Sequence, residues 1–177
     1  RRESYPAPYF EEDVADLDAL LDEVLGNGSF PQKAHLVGHS DGGTIALYEA
    51  ALHPGRVRSL VTIAAHIYIE DKMQPGIGKV REAFLHDKRF RKAMARAHGE
   101  KFEQVFNNWH DGWVRPETLG WDMRPTLARI TCPALIVQWI DDEHATPRHA
   151  QEIAAAIPGS ELWLVDDAAH MLPQENA

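Results

Sequence analysis

Ser40 stands at the centre of Gly38-His39-Ser40-Asp41-Gly42, and two groups able to serve a nucleophilic serine follow it: Asp141-Asp142, then His170 behind Asp166-Asp167. A serine hydroxyl attacks an acyl carbon only when a base takes its proton, and an imidazole does this well when a carboxylate orients it. By chance alone a G-x-S-x-G match appears in roughly one chain in twenty of this length, because glycine and serine are common. Its weight comes from position. The apolar "AHLV" precedes it and the helix-like "TIALYEAAL" follows, the strand-turn-helix setting in which the motif forces a serine outward on a sharp bend. Gly38 and Gly42 are expected to be spacing residues at which a larger side chain would collide. The chain order serine, aspartate, histidine is that of a strand-elbow hydrolase.

These residues need a scaffold. Residues 13–25 carry Val14, Leu17, Leu20, Leu21 and Leu25 at spacings of three and four, an amphipathic helix ending at Gly26-Asn27-Gly28. Strands are expected at 33–37, 57–65, 134–140 and 161–165, and helices at 44–52, stopped by His53-Pro54-Gly55, and at 148–157. Strands alternating with helices predict βαβ units and a parallel sheet, and runs that are apolar throughout suit strands covered on both faces. Asp142 then falls just past the third strand and His170 just past the fourth, at the sheet end where ligands bind.

One connection is too long for such a fold. Residues 66–131 hold no strand, whereas most connections run about 2 to 6 residues, so a helical insertion is expected there. It holds Phe84, Phe90, Phe102, Phe106, Trp109, Trp113 and Trp121, expected to pack the insertion onto the sheet with a few lining a pocket. Within it, residues 79–101 carry eight Lys or Arg against three Asp or Glu, a charge of +5 that leaves −14 on the rest. A solvated face is the simpler reading; attraction of an anionic substrate is the alternative.

With a net charge of −9 and a pI near 5.5, the chain is a poor partner for nucleic acid or an anionic membrane, both of which need basic patches. No run approaches the roughly 20 apolar residues of a membrane span. A small-molecule substrate is therefore the expected partner. Cys132, the single cysteine, rules out an internal disulfide and reads as a buried thiol; a cytoplasmic location is the expectation. His144, His149 and Asp142 are poorly spaced for a metal.

The quoted stretches "HLVGHSDGGTIALYEAALHPGRVRSLVTIAA", "CPALIVQWIDDEHATP" and "LVDDAAHMLP" resemble the nucleophile, acid and histidine regions of the α/β-hydrolase superfamily. Within it, "SDGG" at Ser40, "DKMQPGI" and the "WHDGW" of Trp109 to Trp113 are similar to the valacyclovir hydrolase group. The resemblance implies an α/β fold in which residues 1–65 and 132–177 form part of the hydrolase core and 66–131 a helical cap. It further implies Ser40 as nucleophile, His170 as base, Asp142 as acid, the Asp41 amide in the oxyanion hole, and no cofactor. The family usually carries glycine three residues before its acid, where this chain has Trp139, so Asp141 stays open as the alternative. Candidate substrate contacts are Asp41, which in that group holds a substrate amino group, with Trp109 and Trp113; a carboxylate stabilising a helix N-terminus is the simpler role for Asp41.

The resemblance also implies that strands precede Arg1 and a helix follows Ala177, so that these residues alone would be inactive. The activity implied is hydrolysis of small carboxylic esters or activated amides through an acyl-enzyme. Two alternatives share the fold: hydrolysis of a carbon-carbon bond in ring-fission diketones, and ligand binding without chemistry.

Overall fold

The computed structural model describes residues 10–25, 33–166 and 170–171. The chain divides into two compact units, one comprising Phe10–Tyr68 with Asp122–Ala177 and the other Ile69–Trp121. The first holds a four-stranded sheet, β1 (Ala34–His39), β2 (Val57–Ile63), β3 (Ala134–Trp139) and β4 (Glu161–Val165), with order β1-β2-β3-β4 and every pairing parallel. Helices α1 (Glu11–Leu25), α2 (Asp41–Leu52), the short α7 (Arg124–Leu127) and α8 (Arg148–Ala156) belong to the same unit.

The strands lie where the apolar runs predict them, and their burial shows why. β3 is buried at five of its six positions, as a central strand should be. β1 and β4 pair on one side only, and Val37 and Trp163 are 70% and 59% exposed. Coverage on both faces thus holds for β3, is partial in β2, which is buried at three of its seven positions, and fails at the outer strands, where nothing described packs beyond them. Leu47 on α2 and Leu60 on β2 are fully enclosed, each burial contributing about 1.5–3 kcal/mol.

α1 begins two residues before the predicted start, and its predicted stop at residues 26–28 lies outside the described residues. Arg56 Nη1 donates to Asp18 Oδ1 at 2.7 Å and pairs with Asp22 Oδ1 at 2.8 Å, fixing α1 to the turn before β2.

The second unit is helical: α3 (Met73–His86), α4 (Lys88–His98), α5 (Phe102–Val114) and α6 (Pro116–Leu119), with a 3-10 turn at Gly99–Lys101. Asp87 caps α4 by accepting from the Arg89 and Phe90 amides. The aromatic residues pack on one another inside this unit. Phe84 stacks on Phe106 at 3.8 Å between centroids, Phe90 meets Phe106 edge-on, and Trp113 meets Trp121 at 6.4 Å. The basic residues of α4 leave it without a single buried position, as a solvated face requires.

Candidate active site

Ser40 occupies the single residue between β1 and α2, with φ 54° and ψ −125°, a conformation that costs a non-glycine residue about 1–3 kcal/mol. Hydrogen bonds hold it there. Its N–H donates to the Ile63 carbonyl at the end of β2 (2.8 Å), and its carbonyl accepts from the Gly43 and Thr44 amides of the first α2 turn (2.9 and 3.2 Å). A Cβ on Gly38 would lie 2.2 Å from the Gly42 carbonyl oxygen, so the bend excludes any side chain there. The second crowded glycine is Gly43, whose added Cβ would come 2.9 Å from the Ala65 Cβ; at Gly42 a Cβ meets nothing within 4 Å. The expected crowding at Gly42 is thus corrected: its backbone is what Gly38 must avoid, while its own α-hydrogens face open space.

Asp142 lies three residues past β3 and is 1% exposed. Four donors surround its carboxylate. Oδ1 accepts from the His144 and Ala145 amides at 2.8 and 3.2 Å, and Oδ2 from Gln138 Nε2 and His170 Nδ1, each at 2.9 Å. Burial alone would raise the pKa, but the His170 hydrogen bond and charge together with the two amides outweigh it and hold the carboxyl below its ordinary value. An ionised carboxylate only accepts, so His170 carries its proton on Nδ1. Nε2 is thereby left as an acceptor, 3.0 Å from Ser40 Oγ. Of the two adjacent aspartates, Asp142 is the one that reaches the histidine; Asp141 is exposed.

His170 is 6% exposed. Two other imidazoles flank its ring, His39 at 5.0 Å and His144 at 4.6 Å between centroids. Burial lowers the pKa of both below the usual histidine value, so at neutral pH neither adds a positive charge that would oppose protonation of His170. Residues 167–169 of the predicted "DDAAH" segment lie outside the described residues.

Asp41 is the first residue of α2, where helix amides have no carbonyl of their own helix to meet and the dipole favours negative charge. Its Oδ1 lies 3.1 Å from Nε2 of His66, a buried residue just beyond β2. That neighbour was not foreseen. Trp109 and Trp113 lie on α5: Trp113 is 3% exposed and packed against Trp121, while Trp109 lines a cavity of about 290 Å³ with Val80, Phe90, Met94, Val105 and Phe106. His149 is buried and accepts from the Ile67 amide at 3.2 Å. Gln138 was also missed, though a lone polar residue inside "ALIVQWI" was a readable signal.

Residues 2–177 match the model of the Alpha/beta hydrolase family. The serine hydrolase BPHL of Homo sapiens, of the valacyclovir hydrolase group, is 32% identical over 171 residues, covering 95% of this chain. The chain spans 57% of that protein's length. A pimeloyl-[acyl-carrier protein] methyl ester esterase from Neisseria meningitidis is 30% identical over 88% of this chain and 68% of its own. NosK from Streptomyces actuosus shares the fold at 19% identity, with a TM-score of 0.74 over 99% of this chain and 74% of its own.

Proposed function

Because the chain belongs to the alpha/beta hydrolase family, we propose that it supplies the nucleophile, base and acid of a serine hydrolase that cleaves small carboxylic esters or activated amides. The observation that carries this reading is the hydrogen-bonded line from Ser40 Oγ to His170 Nε2 (3.0 Å) and from His170 Nδ1 to Asp142 Oδ2 (2.9 Å). The first distance is within reach of direct proton transfer; the second is that of a hydrogen bond that orients the imidazole. In the proposed reaction Ser40 Oγ attacks the acyl carbon as its proton passes to His170 Nε2. The Asp41 amide donates to the oxyanion of the tetrahedral intermediate. His170 returns the proton to the leaving alcohol or amine as its bond to carbon breaks, leaving an acyl ester on Ser40. Water then attacks that ester, giving its proton to His170, and as the bond from carbon to Ser40 Oγ breaks His170 returns that proton to Oγ, releasing the acid and restoring both Ser40 and the neutral base.

Asp142 remains ionised throughout, holding the Nδ1–H tautomer and stabilising the imidazolium that forms at each step. Relatives named for methyl ester cleavage favour esters over carbon-carbon bonds as the bond broken. The Asp41 carboxylate beside Ser40 suits a substrate carrying an amino group, and in that reading His66 shares the same oxygen. The proposed cap is the insertion expected at residues 66–131, of which 69–121 form the helical unit.

The test uses the full-length protein. Ser40→Ala should abolish both hydrolysis of an aryl ester and covalent labelling by a fluorophosphonate, and activity that survives the substitution would reject the assignment. Faster turnover of a vinylogous diketone than of aryl esters would move the reaction to carbon-carbon cleavage with the same three residues.

A further inference from the structure

His39 sits one residue before the nucleophile and takes no part in proton transfer, yet its side chain reaches across 131 residues of sequence to the backbone of His170. Its Nε2 lies 2.8 Å from the His170 carbonyl oxygen. A carbonyl only accepts, so His39 Nε2 carries the hydrogen. On the other side of the same residue, the His170 N–H donates to Glu143 Oε2 at 3.1 Å. The backbone of His170 is therefore held at both ends by the sequence neighbours of Ser40 and Asp142.

This matters because of where His170 lies. It stands five residues beyond β4, outside any strand or helix whose ladder would fix it. Asp142 holds ring atom Nδ1, which sets the tautomer and rotation, but the distance from Nε2 to Ser40 Oγ also depends on where the His170 backbone sits. Both bonds to the His170 backbone are partly buried. Glu143 is a half-exposed side chain in the loop after β3, whereas His39 is the last residue of β1 and is held by its ladder to β2.

We infer that His39 is a positioning residue for His170: its Nε2–H, bonded to the His170 carbonyl, holds the base within proton-transfer distance of Ser40. The inference rests on the hydrolase reading above.

Two substitutions in the full-length protein separate the hydrogen bond from the ring. His39→Phe keeps a flat ring and removes the donor; His39→Gln keeps an N–H donor and removes the ring. With an aryl ester, His39→Phe is expected to lower kcat by about 10- to 100-fold while KM changes little, the usual consequence of a misplaced catalytic group. His39→Gln should recover most of that loss, and both variants should melt within a few degrees of the parent. A second readout needs no turnover: the low-field proton resonance of His170 Nδ1–H, bonded to Asp142, should broaden or vanish in His39→Phe and persist in His39→Gln.

An unchanged kcat and resonance in His39→Phe would overturn the inference, as would equal defects in the two variants. A parent protein that neither turns over esters nor labels at Ser40 would instead defeat the hydrolase reading. The resonance would still decide whether His39 positions His170.

Discussion

Replacing Asp142 by asparagine changes one atom and should disable the site. Among the described residues four donors meet the carboxylate: the His144 and Ala145 amides on Oδ1, and Gln138 Nε2 and His170 Nδ1 on Oδ2. Asparagine has one accepting oxygen. The backbone amides cannot turn, so that oxygen should face them, leaving the new NH2 opposite Gln138 and His170. Gln138 can answer by rotating its amide, since its Oε1 is buried without a hydrogen-bond partner among the described residues. His170 can answer only by accepting at Nδ1, which moves its proton to Nε2 and points an N–H at Ser40. The base is then unable to take the serine's proton. A wrong tautomer in this arrangement costs roughly 10⁴ in kcat, equivalent to about 5.4 kcal/mol of activation free energy.

The assay is aryl-ester turnover by the full-length protein at neutral pH, with melting temperature measured alongside. Asp141→Asn, at an exposed position, is the control and should stay close to the parent. A loss below about tenfold for Asp142→Asn, where each factor of ten is about 1.4 kcal/mol, would refute the reasoning. So would an equal loss for Asp141→Asn.

Stability gives further tests. Because the folded pKa of Asp142 is held below the ordinary value of 3.8, its ionised form stabilises the fold above that value, and the stabilisation is lost as pH falls through the lower folded value. The gap in urea midpoint between the parent and Asp142→Asn should therefore be full at neutral pH and close in acid well below 3.8. Gly38→Ala should destabilise the protein severely, since its Cβ would sit 2.2 Å from a backbone oxygen. Gly42→Ala should instead stabilise α2 by up to about 1 kcal/mol, as alanine does inside a helix; thermal unfolding of the pair checks the contrast. Burial raises the Cys132 thiol above its usual pKa, so a thiol reagent at neutral pH should label Cys132 at a rate set by unfolding, and rapid labelling of the folded protein would contradict its burial.

The sequence by itself determined the parts of this protein that repeat or punctuate locally. Apolar runs separated by glycine, proline and helical periodicity placed the four strands with α1, α2 and α8, and marked residues 66–131 as a helical insertion without placing its individual helices. The motif around Ser40, with aspartate and histidine at later strand ends, marked the candidate residues, because a strand-helix alternation fixes which end of the sheet those positions share. The tertiary structure decided what depends on contact between distant segments. It placed Asp142 rather than Asp141 against the imidazole, because a loop of a few residues has no period, and only the folded turn shows which carboxylate meets two backbone amides and an imidazole. It moved the second steric constraint from Gly42 to Gly43, because the crowding atom belongs to Ala65 on another strand end. It also brought His66 to Asp41, and His39 to the carbonyl of His170. Those pairings lie 25 and 131 residues apart, and a contact between such partners leaves no trace in the pattern of either segment alone.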